Sequence, residues 1–434
     1  MRYRLFFLWM SLFALLGCAN GMPATPSNGQ NGQLEGRILV WHGWEGQDAA
    51  VLESQIATFR RLYPNMTIAV VQVPPAELLT RYSEAARLGL GPDLLIGRSE
   101  WLAELVTAAI VQDISAEIAG NTSKYFPTAL AQLRYNAGLY GLPLALRPTA
   151  LYYNRTLVAT PAATLDQLLQ HATDGHVIAL STRAESAYWG ITAFGPPLIG
   201  ADGALTADHT GLIGWLNWLK RAQDNPNVIL SQDEAALEQL FAAGQATYYV
   251  GSADLLAGFK ATLEETAVAG SVVGVAPLPS GANSGQPLLD VDALYFNAAS
   301  SSRQYALALV LADFLTNTEQ GTVLLRELGR VPASQRVRVN NRLYPLAAVF
   351  AQQGRVATHV PQTLQPLLLG EAGDGMYTAV LSGVRETDTA VCEYMLTIRQ
   401  TIQGATPDLS ECGSEGNLII CQWSLCSGRS PDIH

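Results

Sequence analysis

Positive charge is scarce in this sequence. Its 434 residues carry 26 Lys and Arg against 37 Asp and Glu, a formal net charge of -11. A chain that acidic repels a phosphate backbone, which excludes nucleic acid as a partner. Charged residues of both signs make up only 15% of the chain and hydrophobic residues 49%. That balance excludes a disordered chain and fits a well-packed globular one. Cysteine is missing between Cys18 and Cys392. Histidine is thin and scattered, at His42, His171, His176, His209, His359 and His434. No metal-binding His pair, P-loop or nucleophile elbow is present. His42 has no nucleophile around it, and Glu45 with Glu100 imitates a glycosidase pair only in composition. Neither an enzyme nor a cofactor is expected.

The N-terminus is the most specific local signal. Arg2 and Arg4 precede an apolar run from Leu5 to Leu16, followed by Gly17 and Cys18. A basic start with an apolar core of roughly 7–15 residues reads as a signal peptide, not a stable membrane span. Residues 1–17 are therefore assigned to a leader. Residues 18–36, rich in Asn, Gly, Pro, Ser and Gln, form a flexible tether. Beyond Cys18, four cysteines remain: Cys392, Cys412, Cys421 and Cys426. An even number in an exported chain predicts two disulfides, with three pairings open, and their spacing does not fit a zinc site.

The length predicts two domains. After the tether, a strand at residues 37–41 leads into a helix over 49–63, ended at Tyr63-Pro64-Asn65. A second strand over 66–73, a helix over 77–88, the turn Gly91-Pro92-Asp93 and a third strand at 94–96 follow. Alternation of this kind predicts a parallel sheet flanked by helices. In the turn, the Asp93 carboxylate is positioned to cap its own backbone. Further strands are predicted at 150–154, 177–180, 246–250, 272–276 and 294–297. Helices are predicted at 101–109, 165–172, 212–222, 235–242 and 303–316. A hairpin is expected over 136–145, turning near Ala137-Gly138, and another over 413–428.

Several local sequences then occur in order. They are Ile38-Leu39-Val40-Trp41, Gly91-Pro92-Asp93-Leu94-Leu95, Leu139-Tyr140-Gly141-Leu142-Pro143 with Leu151-Tyr152-Tyr153-Asn154, Phe241-Ala242-Ala243-Gly244-Gln245-Ala246, Ala276-Pro277-Leu278-Pro279, and Asn297-Ala298-Ala299-Ser300. The series, from about Gly36 to Gln403, resembles the carbohydrate-binding branch of bacterial extracellular solute-binding proteins. The Gly17-Cys18 pair likewise resembles a bacterial lipoprotein box, which implies a lipid on Cys18 and a place outside the cytoplasm at the cell membrane.

That resemblance implies an α/β, two-lobed periplasmic-binding-protein fold of type II, each lobe a mainly parallel sheet flanked by helices. It implies a first lobe of residues 36–146 plus 291–331, a second of 147–290 plus 332–403, and a three-segment hinge. Residues 404–434 form a cysteine-containing tail outside it. The implied partners are a small polar ligand, a saccharide above all, and the permease of an ABC importer, with the chain itself a monomer. Ligand energy would close the hinge.

Ligand contacts are expected at the carboxyl ends of strands. Trp41, His42, Trp44 and Glu45 follow the first strand. Sugars suit aromatic platforms with planar polar groups. Trp41 is either platform or core, whereas Trp44 is expected to be exposed. Arg98 and Glu100 follow the third strand, with Glu100 matching an acidic sugar ligand or else a helix cap. Tyr188 and Trp189 match an aromatic position or the core, Ser252 ends a strand, and Tyr377 matches a late aromatic contact. Asp290 and Asp292 flank the second crossing, where relatives commonly carry Gly and Trp. Arg147 sits where maltose-binding protein has a carboxylate, either meeting a ligand or pairing with Asp290 or Asp292. Ala253 stands where an aromatic platform is usual, so a maltodextrin site is not preserved. A metal or oxyanion remains the alternative ligand. Tyr152-Tyr153 and Tyr248-Tyr249 invite an iron reading, but neighbours in a strand face opposite sides.

Overall fold

Alternation sets the first strand. In β1 (Gly36–His42), Ile38, Val40 and His42 are buried while their neighbours are half-buried or exposed, as a pleated strand on a core requires. The helix over Gly46–Leu62 buries Val51, Leu52, Gln55, Ile56 and Phe59 on one stripe. It returns the chain to β2 (Met66–Gln72), which pairs with β1 in parallel from Gly36↔Met66 to His42↔Gln72. The computed structural model describes residues 34–200, 203–265 and 272–406, with Leu409 and Cys412 beyond them. The leader, Cys18, most of the tether, Cys421, Cys426 and the hairpin expected at 413–428 lie outside the described residues.

Two sheets carry the architecture. The first contains β1, β2, β3 (Leu94–Arg98), β6 (Gly141–Leu146), β12 (Val291–Phe296) and β13 (Val331–Pro332), in the order β13-β6-β12-β3-β1-β2. The second contains β7 (Thr149–Asn154), β8 (Ile178–Ser181), β9 (Val228–Ser231), β10 (Tyr248–Ser252) and β11 (Val273–Ala276), in the order β11-β7-β10-β8-β9. A small hairpin of β4 (Arg134–Tyr135) and β5 (Gly138–Leu139) turns through Asn136, whose φ of 51° is left-handed. The α/β class with helices on the sheets holds.

The sheets are mixed, however, not mainly parallel. β12 runs antiparallel to both β3 and β6, and β13 antiparallel to β6. In the second sheet β7 runs antiparallel to β10 and β11, while β8 is parallel to β9 and β10. For β12 and β7 the reason is connectivity: each enters its sheet straight from a strand of the other one, without a crossover helix to turn it, whereas β13 follows the helices Ser302–Leu315 and Thr318–Leu328.

Three passages between the sheets lie side by side. Leu146 at the end of β6 faces Val291 of β12 and Val331 of β13. The next residue, Arg147, donates its backbone N–H to the Asp290 carbonyl at 2.7 Å. The Asp93 carboxylate does not cap its own turn as expected. It accepts from the Leu39 amide at 2.9 Å and the Ser300 hydroxyl at 2.6 Å, tying β1 to the loop after β12. Gly91 in that turn has φ 99°, a value that favours glycine.

The second sheet's core is aromatic. Trp215 and Trp218 stack with centroids 5.2 Å apart, and Trp189 packs on Trp215 at 5.0 Å. The helices Glu371–Leu381 and Thr387–Ile402, which periodicity did not single out, complete this core through Tyr377, Val380, Val391 and Ile398. A disulfide joins Cys392 on the last helix to Cys412. Among the described residues no helix is long and apolar enough to cross a membrane.

Candidate functional site

The carboxyl ends of β1, β3 and β10 and the start of β12 meet at the seam between the sheets. Strand register puts Asp292 opposite Arg98, and Ser252 opposite Thr149 at the start of β7. This is the edge at which open α/β sheets hold ligands.

Charge dominates the seam. Arg98, Glu100, Arg147 and Asp254 form a closed ring of alternating sign. Arg147 Nη1 lies 3.2 Å from Glu100, and Arg147 Nε 3.3 Å from Asp254. Arg98 closes the ring at 4.0 Å from Glu100 and 3.9 Å from Asp254. Asp254 follows β10 of the second sheet, whereas Arg98 ends β3 of the first and Glu100 follows it, so the ring spans both. Arg147 also approaches Asp292 at 3.8 Å. Asp292 in turn pairs with Arg330, which pairs with Asp48 and lays its guanidinium over the Trp44 ring, 4.4 Å from the centroid.

Burial opposes the Arg147 charge, but Asp254, Glu100, Asp292 and Asp290 outweigh it and raise its pKa. Burial likewise pushes the Asp254 carboxyl up, yet Arg147, Arg98, Arg330 and the Ser252 hydroxyl hold it well below the usual range. Both partners thus stay ionised because each supplies what the other lost in leaving water.

A different arrangement sits beside the ring. One carboxylate oxygen from each of Glu100, Glu185 and Asp290 lies within 4.8 Å of the other two. Ser99 donates its hydroxyl to Asp290 at 3.3 Å and accepts from the Val291 amide at 3.0 Å. Burial and the Glu100 charge push Asp290 up to about 7, against the pull of Arg147, Ser99 and Arg98. Burial, then Asp290 and Glu100, raise Glu185 as well. The spacing alone does not make these groups metal ligands.

The expected site residues divide by exposure. Glu45 and Arg98 are exposed, and Trp41, Glu100, Ser252 and Asp290 are half-buried. Neither Ser99 nor Glu100 caps the turn they open, so the capping alternative for Glu100 falls. Several expectations are corrected. Trp44, expected to be exposed, is only 9% exposed because Arg330 covers its ring. His42 is buried, its Nδ1 accepting from the Trp44 amide at 3.2 Å, and burial lowers its pKa. Tyr188 and Trp189 belong to the second core, where the Tyr188 hydroxyl accepts from the Leu198 amide. Tyr377 is packed in the same core. Asp292 is buried and committed to Arg330. Arg147 forms an ion pair as one alternative had it, but with Glu100 and Asp254 first.

The tyrosine pairs are also committed. The Tyr152 hydroxyl donates to the Ser252 carbonyl at 2.7 Å, and the Tyr248 hydroxyl bonds His171 and accepts from the Ala162 amide. A groove of about 590 Å³ lined by Thr192, Ser280, Asn283 and Gln286 shares no residue with the seam, and the seam's chemistry makes it the better candidate.

Sequence reasoning missed Asp48, Glu185, Asp254 and Arg330. Asp254 stands two residues past Ser252 at a strand end, and Arg330 immediately precedes the third passage, so position alone could have flagged both. Nothing local marks Asp48 or Glu185.

Residues 54–341 match a family described as bacterial extracellular solute-binding proteins. The chain is 20% identical over 421 residues to the maltodextrin-binding protein MdxE of Bacillus subtilis, covering 90% of this chain and 97% of that one. It is 28% identical over 134 residues to the maltotriose-binding protein of Pyrococcus abyssi, a match spanning 31% of this chain but only 29% of that protein's length. Among solved structures, the GacH receptor of Streptomyces glaucescens, determined unliganded and with acarbose, is similar at a TM-score of 0.74 and 18% identity, over 86% of this chain and 100% of that one. At that identity the likeness establishes a shared fold.

Proposed function

Because the chain belongs to the family of bacterial extracellular solute-binding proteins, we propose that it captures a small saccharide by closing two lobes, as the extracytoplasmic substrate-binding subunit of an ABC importer. The lobes are residues 36–146 plus 291–331 and residues 147–290 plus 332–403. The observation that carries this reading is the seam: strand ends of both sheets converge where three adjacent passages link them. Passages that close together can bend as one hinge, and a ligand touching both sides shifts the balance toward closure.

The relatives are binding proteins named for maltodextrin, maltotriose and galactooligosaccharide, which favours a saccharide over a metal or an oxyanion. Trp41, Glu45, Arg98, Glu100, Ser252 and Asp290 reach solvent at the seam and serve as the ligand contacts. Their acceptors and donors suit hydroxyl groups, and Trp41 offers an apolar face. His42, Trp44, Arg147 and Asp292 form the walls behind them. A lipid on Cys18 and a tether over 18–36 would hold the body near a permease. The Cys392–Cys412 disulfide supports export, since such bonds persist in oxidising compartments.

A thermal-shift screen over a carbohydrate library tests the reading. At about 100 times its dissociation constant a ligand adds roughly 2.7 kcal/mol. At least one neutral saccharide is expected to raise the melting point. A response confined to anions or metals would overturn the saccharide assignment.

A further inference from the structure

Glu100, Glu185 and Asp290 reach their common point from three directions. Glu100 lies in the turn after β3 of the first sheet, Asp290 on the passage before β12, and Glu185 on the segment after β8 of the second sheet. One oxygen of each lies within 4.8 Å of the others. The nearby cations reach the trio only through Glu100, and their pull on Asp290 and Glu185 is outweighed by burial and the neighbouring acids. Arg147 spans Glu100 and Asp254, and Arg98 spans the same two. Among the described residues no Lys, Arg or His forms an ion pair with Glu185 or Asp290. Glu234, which accepts from the Ser181 hydroxyl at 2.9 Å, adds further negative charge on the Glu185 side.

Three carboxylates cannot all stay ionised at this separation without cost. The trio is assembled only when the segment after β8 meets the end of β3 and the passage before β12. We propose that closing the two lobes takes up protons at Glu185 and Asp290, which it brings against Glu100, so that mild acid favours the closed form of the ligand-free protein. The inference rests on the hinge-closure reading above but needs no saccharide.

The sign follows from linkage. In this assembled arrangement Asp290 is pushed up to about 7 and Glu185 is raised too, by burial first and then by the neighbouring acids. When the lobes part, Glu185 leaves the other two and water returns, so Glu185 and Asp290 fall back toward an ordinary carboxylate value. The closed form therefore binds protons more tightly, and lowering the pH through about 7 shifts the population toward it. Within that window each proton taken up changes the closed-to-open ratio by up to about tenfold per pH unit.

Small-angle X-ray scattering of the full ligand-free chain reads the effect directly. The radius of gyration is expected to be smaller at about pH 5.5 than at about pH 8. Glu185→Gln and Asp290→Asn, with circular dichroism to verify folding, should each flatten that response and stay compact at both values. An unchanged radius across pH in the native chain overturns the proposal. So does a pH response that both variants retain in full. Because no sugar is added, failure here leaves the carbohydrate screen standing, and a failed screen leaves this result standing.

Discussion

Replacing Arg147 with methionine removes one charge and leaves the volume nearly intact. The guanidinium is buried, with its side chain 7% exposed, and it faces Glu100 at 3.2 Å, Asp254 at 3.3 Å and Asp292 at 3.8 Å. Asp292 keeps Arg330 in the variant, but Arg98, at 4.0 and 3.9 Å, is the one ion-pair partner left to Glu100 and Asp254 among the described residues, with the Ser252 hydroxyl still bonded to Asp254. Breaking a buried pair on one side costs about 3–5 kcal/mol, because the partner stays desolvated and unpaired. For a folding unit the size of one lobe, each kcal/mol moves the melting point by roughly 2–4 °C. The expected loss is therefore about 6–20 °C at neutral pH. Arg147→Lys should recover little of it, since a point charge cannot serve Glu100 and Asp254 together as Nη1 and Nε do. Arg98→Gln is the internal control: with 46% of its side chain exposed, it should cost less than about 1 kcal/mol. The Arg147→Met deficit should also narrow in acid, as Asp254, whose carboxyl Arg147 holds low in the native protein, takes up a proton. Thermal and urea unfolding measure all four. A loss for Arg147→Met no larger than that for Arg98→Gln would refute the reasoning, because the seam would then be as well solvated as open surface.

Two other outcomes follow from the same seam. Trp44→Ala should destabilise the protein by about 3–5 kcal/mol, since the ring is buried and carries Arg330 on its face; an unchanged urea midpoint would mean the indole is an open platform after all. His42, whose pKa burial lowers, should contribute stability that is present above the ordinary His value of about 6.5 and lost as pH falls below it. A pH profile of unfolding checks this, with His42→Asn keeping an acceptor for the Trp44 amide and showing a shallower acid-side loss.

Local pattern made much of the fold legible. Burial alternates along β1, the helix over Gly46–Leu62 shows a 3.6-residue stripe, and Pro64 marks its end. These signals depend on neighbours a few residues apart, and the strands and helices they predict lie within a few positions of the observed ones. Strand direction was less legible. β12 reads as an apolar run whether it lies parallel or antiparallel to β3, because a strand buried on both faces has no telling alternation. The helices Glu371–Leu381 and Thr387–Ile402 were harder still, for their apolar residues answer to partners in the helix Thr210–Ala222 rather than to any local signal.

The seam shows the limit of position-by-position reading most clearly. Trp44 after β1 was expected to face the cleft and Tyr188 and Trp189 after β8 either the cleft or the core, yet all three are buried. The charged residues matter more, and their partners are remote: Arg147 and Glu100 lie 47 positions apart, Arg330 and Asp48 282. Here the departures from the family pattern explain one another. A carboxylate at position 147 would face Glu100, Asp254 and Asp292, and the seam would hold acids with too little opposing charge. Arg330 at the third passage is the direct partner that lets an aspartate occupy position 292 at the second, and arginine at the first passage adds to it from 3.8 Å. Positions 147 and 292 look anomalous alone; together with Arg330 they are one solution to placing charge where the lobes meet.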